Sequence, residues 1–239
     1  MPTSTDALEV IVLSLEDARA AAAGGATRLE VVREIEADGL TPSRALVETL
    51  LAHVRIPLRV MVWPRNTFTI DDDAHRAEVL RDALQFADLP VDLVTGYVRT
   101  ATPGQTRLDL DALDLVRAAA PRARLTVHRA VERVSANLAA DLRRGAAVDR
   151  ILSGGGEGTW SDRADALDRL QQRVAPLRVV VGGGVTDAAV EALARRALLR
   201  ELHVGRLARR YHSFAMPVDA SIVARLRARW IGRDAARQA

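Results

Sequence analysis

The sequence predicts an α/β protein built as a single (β/α)8 TIM barrel over residues 1–239. Three observations lead there. Short β-branched runs alternate with amphipathic, alanine-rich segments along the chain, which implies parallel strands joined by right-handed crossovers. Eight such units can be read, and 239 residues is close to the roughly 250 of a typical barrel of this kind. No linker or break in composition divides the chain. An open doubly wound sheet is the alternative that the same alternation allows.

The first strand is read at Leu8–Val12 and the first helix at Leu15–Ala23, with Ser14 and Asp17 spaced as in a capping box. Gly24-Gly25 closes that helix just before the second strand, Arg28–Val32. Thr41-Pro42-Ser43 opens the second helix, Ser43–His53. The third unit is Leu58–Val62 with Ala74–Ala87, and the fourth is Asp92–Val94 with Leu110–Ala119. The fifth pairs Arg124–Val127 with a helix over Val134–Arg143, stopped by Gly145 in a left-handed turn. The sixth is Arg150–Leu152 with Arg163–Val174. The seventh is Val179–Val181 with Asp187–Arg195, started by Thr186. Glu201–Val204 and Ala220–Trp230 complete the set, and a loose tail is expected from about Gly232. Each helical stretch carries apolar residues at a spacing near 3.6.

Composition removes several chemistries. The chain has no lysine, so all 34 basic residues are arginine, and the net charge of +3 is modest. Without lysine there is no Schiff base. Without cysteine there is no thiolate nucleophile, no disulfide and no soft sulfur cage for copper(I) or zinc. Glu, Asp, His, Arg, hydroxyls and backbone amides are what remain for any reaction. Acidic residues are interspersed throughout and no basic block with aromatics appears, which argues against a nucleic-acid face. No apolar run approaches the ~18 residues of a membrane span. Met1 to Asp6 lack a signal-peptide pattern, so a cytoplasmic protein is expected.

Barrel interiors are packed mainly with branched apolar side chains, so charges within short strands demand a reason. Glu9, Glu30 and Glu201 sit on the first, second and eighth strands, which are neighbours once a barrel closes. Alternation puts Glu9 on one face with Ile11, Glu30 with Val32, and Glu201 with His203. One reading is catalytic, with Glu9, Glu30, His128 and His203 as the acid–base set. The other is structural, with the acids paired to Arg28, Arg59 or Arg124, since a buried charge must be paired or neutralised. Both histidines lie near strand C-termini, where barrel enzymes keep their chemistry. His53, His75 and His212 are expected to face solvent.

Glycines give a second signal. Ser153-Gly154-Gly155-Gly156 follows the sixth strand, Gly182-Gly183-Gly184 the seventh, and Gly205-Arg206 the eighth. Glycine lets backbone amides approach a ligand closely, and barrels commonly hold phosphates in the loops after strands seven and eight. An anion site is therefore expected from Ser153, Gly154, Gly182, Gly183, Gly184, Gly205 and Arg206, helped by Arg65 and Arg129. Tight βα turns are the competing account of the same glycines.

At these residues the chain resembles the copper homeostasis protein CutC family. Leu8-Glu9-Val10 with Ser14 is similar to the family's opening strand and turn, and Gly24-Gly25-Ala26 through Arg28-Leu29-Glu30 to its Gly-Gly-Ala-Asp-Arg-Ile-Glu segment, with Thr27 replacing the aspartate. Gly39-Leu40-Thr41-Pro42-Ser43 matches its turn, and Met61-Val62-Trp63-Pro64-Arg65 resembles Met-Ile-Arg-Pro-Arg. Leu93-Val94-Thr95-Gly96, Thr126-Val127-His128-Arg129-Ala130, Ile151 to Gly155, Gly182 to Val185 and Glu201-Leu202-His203 follow in order. The resemblance implies a barrel. Two cysteines proposed as copper ligands in the family correspond to Ile11 and Val32, Trp63 replaces the first arginine of Arg-Pro-Arg, and Glu132 an aspartate. It therefore implies a divergent member without a copper(I) thiolate site.

Two functions follow as expectations. One is an isomerase, lyase or hydrolase that uses Glu/His chemistry on a small anionic or phosphorylated ligand, with no cofactor. The other is a copper- or other metal-binding homeostasis protein without turnover, in which His128, His203 and nearby glutamates are the ligands. The partners expected are a small anionic molecule and, in a homodimer, a second copy of the chain.

Overall fold

The computed structural model describes residues 6–145 and 147–231, so the expected loose tail from Gly232 lies outside the described residues. Eight parallel strands close into a barrel. They are β1 (Ala7–Val12), β2 (Arg28–Val31), β3 (Leu58–Met61), β4 (Asp92–Thr95), β7 (Leu125–Val127), β8 (Val148–Ser153), β9 (Arg178–Val181) and β10 (Glu201–Val204). The numbering is interrupted by an antiparallel hairpin, β5 (Val98–Thr102) and β6 (Gln105–Leu108), which lies outside the barrel. The barrel closes where β10 meets β1, with Glu9 opposite His203.

Eight helices surround it: α1 (Leu15–Ala23), α2 (Arg44–His53), α3 (Asp73–Leu84), α4 (Leu110–Ala119), α5 (Leu138–Arg144), α6 (Trp160–Val174), α7 (Asp187–Ala194) and α8 (Ala220–Ile231). Their inner faces follow helical spacing, as Ala164, Leu167, Gln171 and Val174 do on α6. The strands answer with one set of alternate residues: Leu8, Val10 and Val12 of β1 are fully buried in the core that also holds Ala18, Ala21, Val223 and Trp230. The other set, Glu9 and Ile11 on β1, turns to the barrel interior. Trp230 also donates its indole N–H to the carbonyl of Ala7, tying the last helix to the first strand.

Local expectations are corrected at four places. Ser14 caps α1 by accepting from the Asp17 amide, but the Asp17 carboxylate accepts from Leu13 and from Arg209 instead of completing the box. The helix expected over Val134–Arg143 begins late, as α5 at Leu138, because Asn137 caps its start by accepting from the Ala140 amide, and a separate 3-10 turn, Arg129–Arg133, precedes it. Gly145 is extended, and the left-handed residue is Ala147. His75 is fully buried, its ring edge-on to Tyr97 at 5.6 Å, whereas His53 and His212 are exposed. Among the described residues no helix is long and apolar enough to cross a membrane.

Candidate functional site

The N-terminal end of the barrel interior is a floor of paired charges. Arg28, buried on β2, binds Glu9 through Nε and Glu201 through Nη2, the second at 2.7 Å. Arg150 adds a second hydrogen bond to the same Glu201 oxygen at 2.7 Å. Arg59 serves Asp92, Asp149 and Thr126, and Arg124 turns to Asp92 and Asp149. Of the arginines proposed for the inward glutamates, Arg28 alone takes that part. The structural reading therefore holds for Glu9 and Glu201.

Above the floor, Glu9 Oε1 lies 2.7 Å from His203 Nδ1, and the other ring nitrogen, Nε2, lies 3.7 Å from Glu30 Oε2. Parallel pairing of β10, β1 and β2 makes this row: Glu9 stands opposite His203, and Ile11 opposite Glu30. Burial alone would raise the Glu9 carboxyl, but Arg28 and His203 outweigh it and hold Glu9 well below the ordinary carboxylate range. Among the described residues no arginine is paired with Glu30, and burial pushes its carboxyl up to about 7 despite the attraction of His203. Burial opposes the charge on His203, yet Glu30 and Glu9 together raise its pKa above the ordinary value. The three groups thus form a line: a fixed anion, an imidazole oriented by it, and a carboxyl that titrates near neutrality.

A cavity of about 230 Å³ opens over this line at the C-terminal end of the barrel. Glu30, His203 and His128 reach it, while Ile11, Val32, Met61, Trp63, Phe68, Leu152 and Phe214 make its walls largely apolar. Ile11 and Val32, the positions matched to the family's cysteines, are thus directly beside the acid–base row. His128 stands apart from that row. Its Nδ1 accepts from the Ala130 amide at 3.1 Å, and burial with the neighbouring Arg129 charge pushes its pKa down to about 3. Burial thus favours the neutral imidazole at His128, whereas the acids around His203 favour its charged form.

The mouth carries the expected glycines in two different roles. Gly182 spends its amide on Ser153 O at 3.0 Å, and a Cβ there would lie 2.9 Å from the His203 ring, so its smallness seats that ring. Gly183 and Gly184, at φ 87° and 73°, begin the turn into α7, where Thr186 caps the helix. Among the described residues the amides of Gly183, Gly184 and Val185 make no hydrogen bond. Gly205, Arg206 and Arg129 complete this rim, with the Arg206 guanidinium over Phe214 at 5.2 Å and no acid paired with it among the described residues.

Besides Gly182, three residues assigned to the anion site from sequence do not face it with free donors, and Arg129 already gives its Nε to Glu132 at 2.9 Å. Arg65 turns away, held by Glu78 at 2.7 and 3.0 Å. Gly154 gives its amide to Glu132 at 2.6 Å, and Ser153 donates its hydroxyl to the same oxygen at 3.2 Å. That turn is already filled by the chain's own carboxylate. Arg163 then bolts the sixth and seventh loops together through the carbonyls of Gly154, at 2.5 Å, and Gly183, at 2.9 Å. Sequence reasoning missed Glu132, Arg163 and the aromatic wall. The scarcity of aromatics was an available signal, since only three Trp, two Tyr and three Phe occur, and Trp63, Phe68 and Phe214 all line the cavity.

A model of the CutC family matches residues 7–207 of this chain. A family protein CutC of Rhizobium meliloti (strain 1021) is 35% identical over 207 residues, covering 82% of this chain and 79% of the relative. One from Xanthomonas campestris pv. campestris (strain B100) is 32% identical over 199 residues, covering 82% and 81%. Among solved structures, a CutC protein of Streptococcus agalactiae superposes with a TM-score of 0.72 at 20% identity, covering 84% of this chain and 98% of that one. At that identity the superposition speaks for the fold alone.

Proposed function

The chain belongs to the CutC family, and from that premise we propose that it is an acid–base enzyme acting on a small anionic or phosphorylated molecule. The observation that carries this reading is the Glu30 carboxyl, buried at the cavity without an arginine and set 3.7 Å from His203. A carboxyl near pKa 7 is about half ionised at neutral pH, so it can both take and return a proton. His203 is oriented toward it by Glu9, and Glu9 is kept ionised by Arg28. The unpaired amides of Gly183, Gly184 and Val185, the positive end of α7, and Arg206 with Arg129 suit an anionic group at the rim.

The test is solvent deuterium exchange. Small sugar phosphates and hydroxy or keto acids are incubated with the protein in D2O and followed by mass spectrometry. At least one should take up deuterium, and Glu30→Gln should slow that uptake by about a hundredfold or more. No uptake by any of them, or uptake unchanged in Glu30→Gln, would sink the reading.

A metal site is the second reading, favoured by one observation: ligand atoms of Glu9, Glu30 and His203 all lie within 4.8 Å of one another. Copper(I) does not fit this donor set. It prefers thiolate or thioether sulfur, Ile11 and Val32 offer none, and Met61 is the one sulfur among the described residues lining the cavity. A hard or borderline divalent ion fits better, although Arg28 competes for Glu9. Calorimetric titration with zinc and manganese decides it: stoichiometric binding lost in His203→Ala, with no deuterium uptake by any compound, would put this reading first.

A further inference from the structure

We propose that His128 is a permanently neutral hydrogen-bond donor that selects a ligand bearing a carbonyl oxygen on the Trp63–Phe68 side of the cavity. The ligand half of this inference rests on the reading that the cavity holds a small anion. The protonation half stands on the ring's own contacts.

His128 ends β7 and begins the Arg129–Arg133 turn, where its Nδ1 caps the Ala130 amide at 3.1 Å. An acceptor nitrogen carries a lone pair, so in the neutral ring the proton belongs on Nε2. Protonating Nδ1 as well would set two N–H groups against each other. Gly96 lets the chain pass close to this cap, since a Cβ there would stand 3.3 Å from Nδ1 and 3.2 Å from the Ala130 methyl. The His128 backbone amide is fixed on Thr95 O at 2.9 Å. Burial and the Arg129 charge both disfavour the imidazolium, in agreement with the geometry.

The other end of the ring has no partner. Nε2 is buried without a hydrogen bond among the described residues, although the residue lines the cavity. Its flanks are aromatic: Trp63 at 5.0 Å and Phe68 at 5.6 Å between ring centroids, both edge-on. The Trp63 N–H is already spent on Thr67 O at 2.8 Å, so it does not compete for a ligand. A buried donor left unpaired is costly, and an oxygen from the ligand would satisfy it. A hydroxyl could accept this bond, but its own hydrogen would then need an acceptor that the flanking rings do not supply. A carbonyl oxygen needs none.

The pairing also gives Glu30 something to act on. With a carbonyl held by the Nε2–H, Glu30 takes a proton from the adjacent carbon. The C–H electron pair becomes the new C=C bond and the carbonyl π pair moves onto oxygen, which stays hydrogen-bonded to His128. Return of the proton from Glu30 restores the carbonyl, so no oxidant or other reactant is required.

Two measurements test the inference. In protein labelled with 15N-histidine, long-range NMR correlations should show His128 as the neutral Nε2–H form from pH 8 to 5. An Nδ1–H form, or titration within that range, overturns it. The second measurement compares dihydroxyacetone phosphate with glycerol 3-phosphate, which differ only in carbonyl against alcohol. Wild-type protein should prefer the ketone by about tenfold, the scale of one well-made hydrogen bond. His128→Phe should remove the preference and His128→Asn, which restores a donor, should recover part of it. Equal binding of the two by wild type overturns this inference while leaving the anion site standing. Binding of neither overturns both.

Discussion

Replacing Arg28 by methionine should destabilise the protein more than any substitution on the rim of the cavity. Its side chain is 7% exposed, and the carboxylates it serves, Glu9 and Glu201, are 4% exposed each. Glu201 keeps Arg150 at 2.7 Å after the change, so the group left without a cation is Glu9, whose remaining partner is His203. Removing one member of a buried ion pair costs about 3–5 kcal/mol, because the other charge stays buried and uncompensated. In a chain of this length each kcal/mol moves Tm by about 2–4 °C, so the loss should be roughly 6–20 °C. Thermal and urea melts at pH 7 measure it. The double variant Arg28→Met, Glu9→Leu removes both charges and should recover at least about half of the loss. A single variant that melts within about 2 °C of wild type would refute the paired floor and the orientation of His203 derived from it.

Three further outcomes are expected. Glu30 has a folded pKa near 7 against an ordinary 4.5, so the folded state binds the extra proton between those values; its stabilising contribution is present below about pH 4.5 and is lost as pH rises through 7. His203, also raised, acts in the same direction, whereas the lowered Glu9 stabilises above its ordinary pKa and loses that effect in acid. Glu30→Gln should flatten the decline in stability between pH 5 and 8 and leave the protein at least as stable as wild type at pH 8; an unchanged slope in melts across that range would contradict the assignment. At Gly183, φ is 87° and a Cβ would meet the Arg129 guanidinium at 3.3 Å, so Gly183→Val should lower the phosphate-free melt and abolish any rise with millimolar phosphate; an intact phosphate response would place the anion elsewhere. Copper(I) should be stripped completely by a competing chelator, and stoichiometric retention lost on mutating His203 would reverse that expectation.

The barrel was legible because its signal is repeated: each strand pairs a β-branched run with a capped helix, and strand starts were read within two residues for β1 to β4 and for β7 to β10. The hairpin β5–β6 was not, since Val98–Thr102 and Gln105–Leu108 carry arginines and threonines on a mostly exposed ribbon with little apolar alternation. Pro103-Gly104, with Gly104 at φ 78°, was the turn signal available there. Within the site, strand periodicity alone put Glu9, Glu30 and His203 on inward faces. It could not say which acid had the arginine. The structural alternative gave Glu30 an ion pair as well, and the register instead gives Arg28 to Glu9 and Glu201. Arg65 and Gly154 were misjudged for one reason: Glu78 and Glu132, which occupy them, come from 13 and 22 residues away in sequence. Pairing across such distances leaves no local pattern.

Closure by β1 and β10 has a consequence for how the protein is made. The partner of β1 on one side, β2, follows within a few tens of residues, but the other, beginning at Glu201, is synthesised last among the strands. At about 5–20 residues per second the ribosome takes roughly 10–40 seconds to travel from Val12 to Glu201. Throughout that interval β1 is a free edge, the kind of template on which nascent chains aggregate. A charge in mid-strand discourages such pairing, and Glu9 occupies the middle of β1. The residue that anchors His203 in the finished barrel thus guards the unfinished one, and a Glu9→Leu chain should call on chaperones during synthesis even where its completed fold is sound.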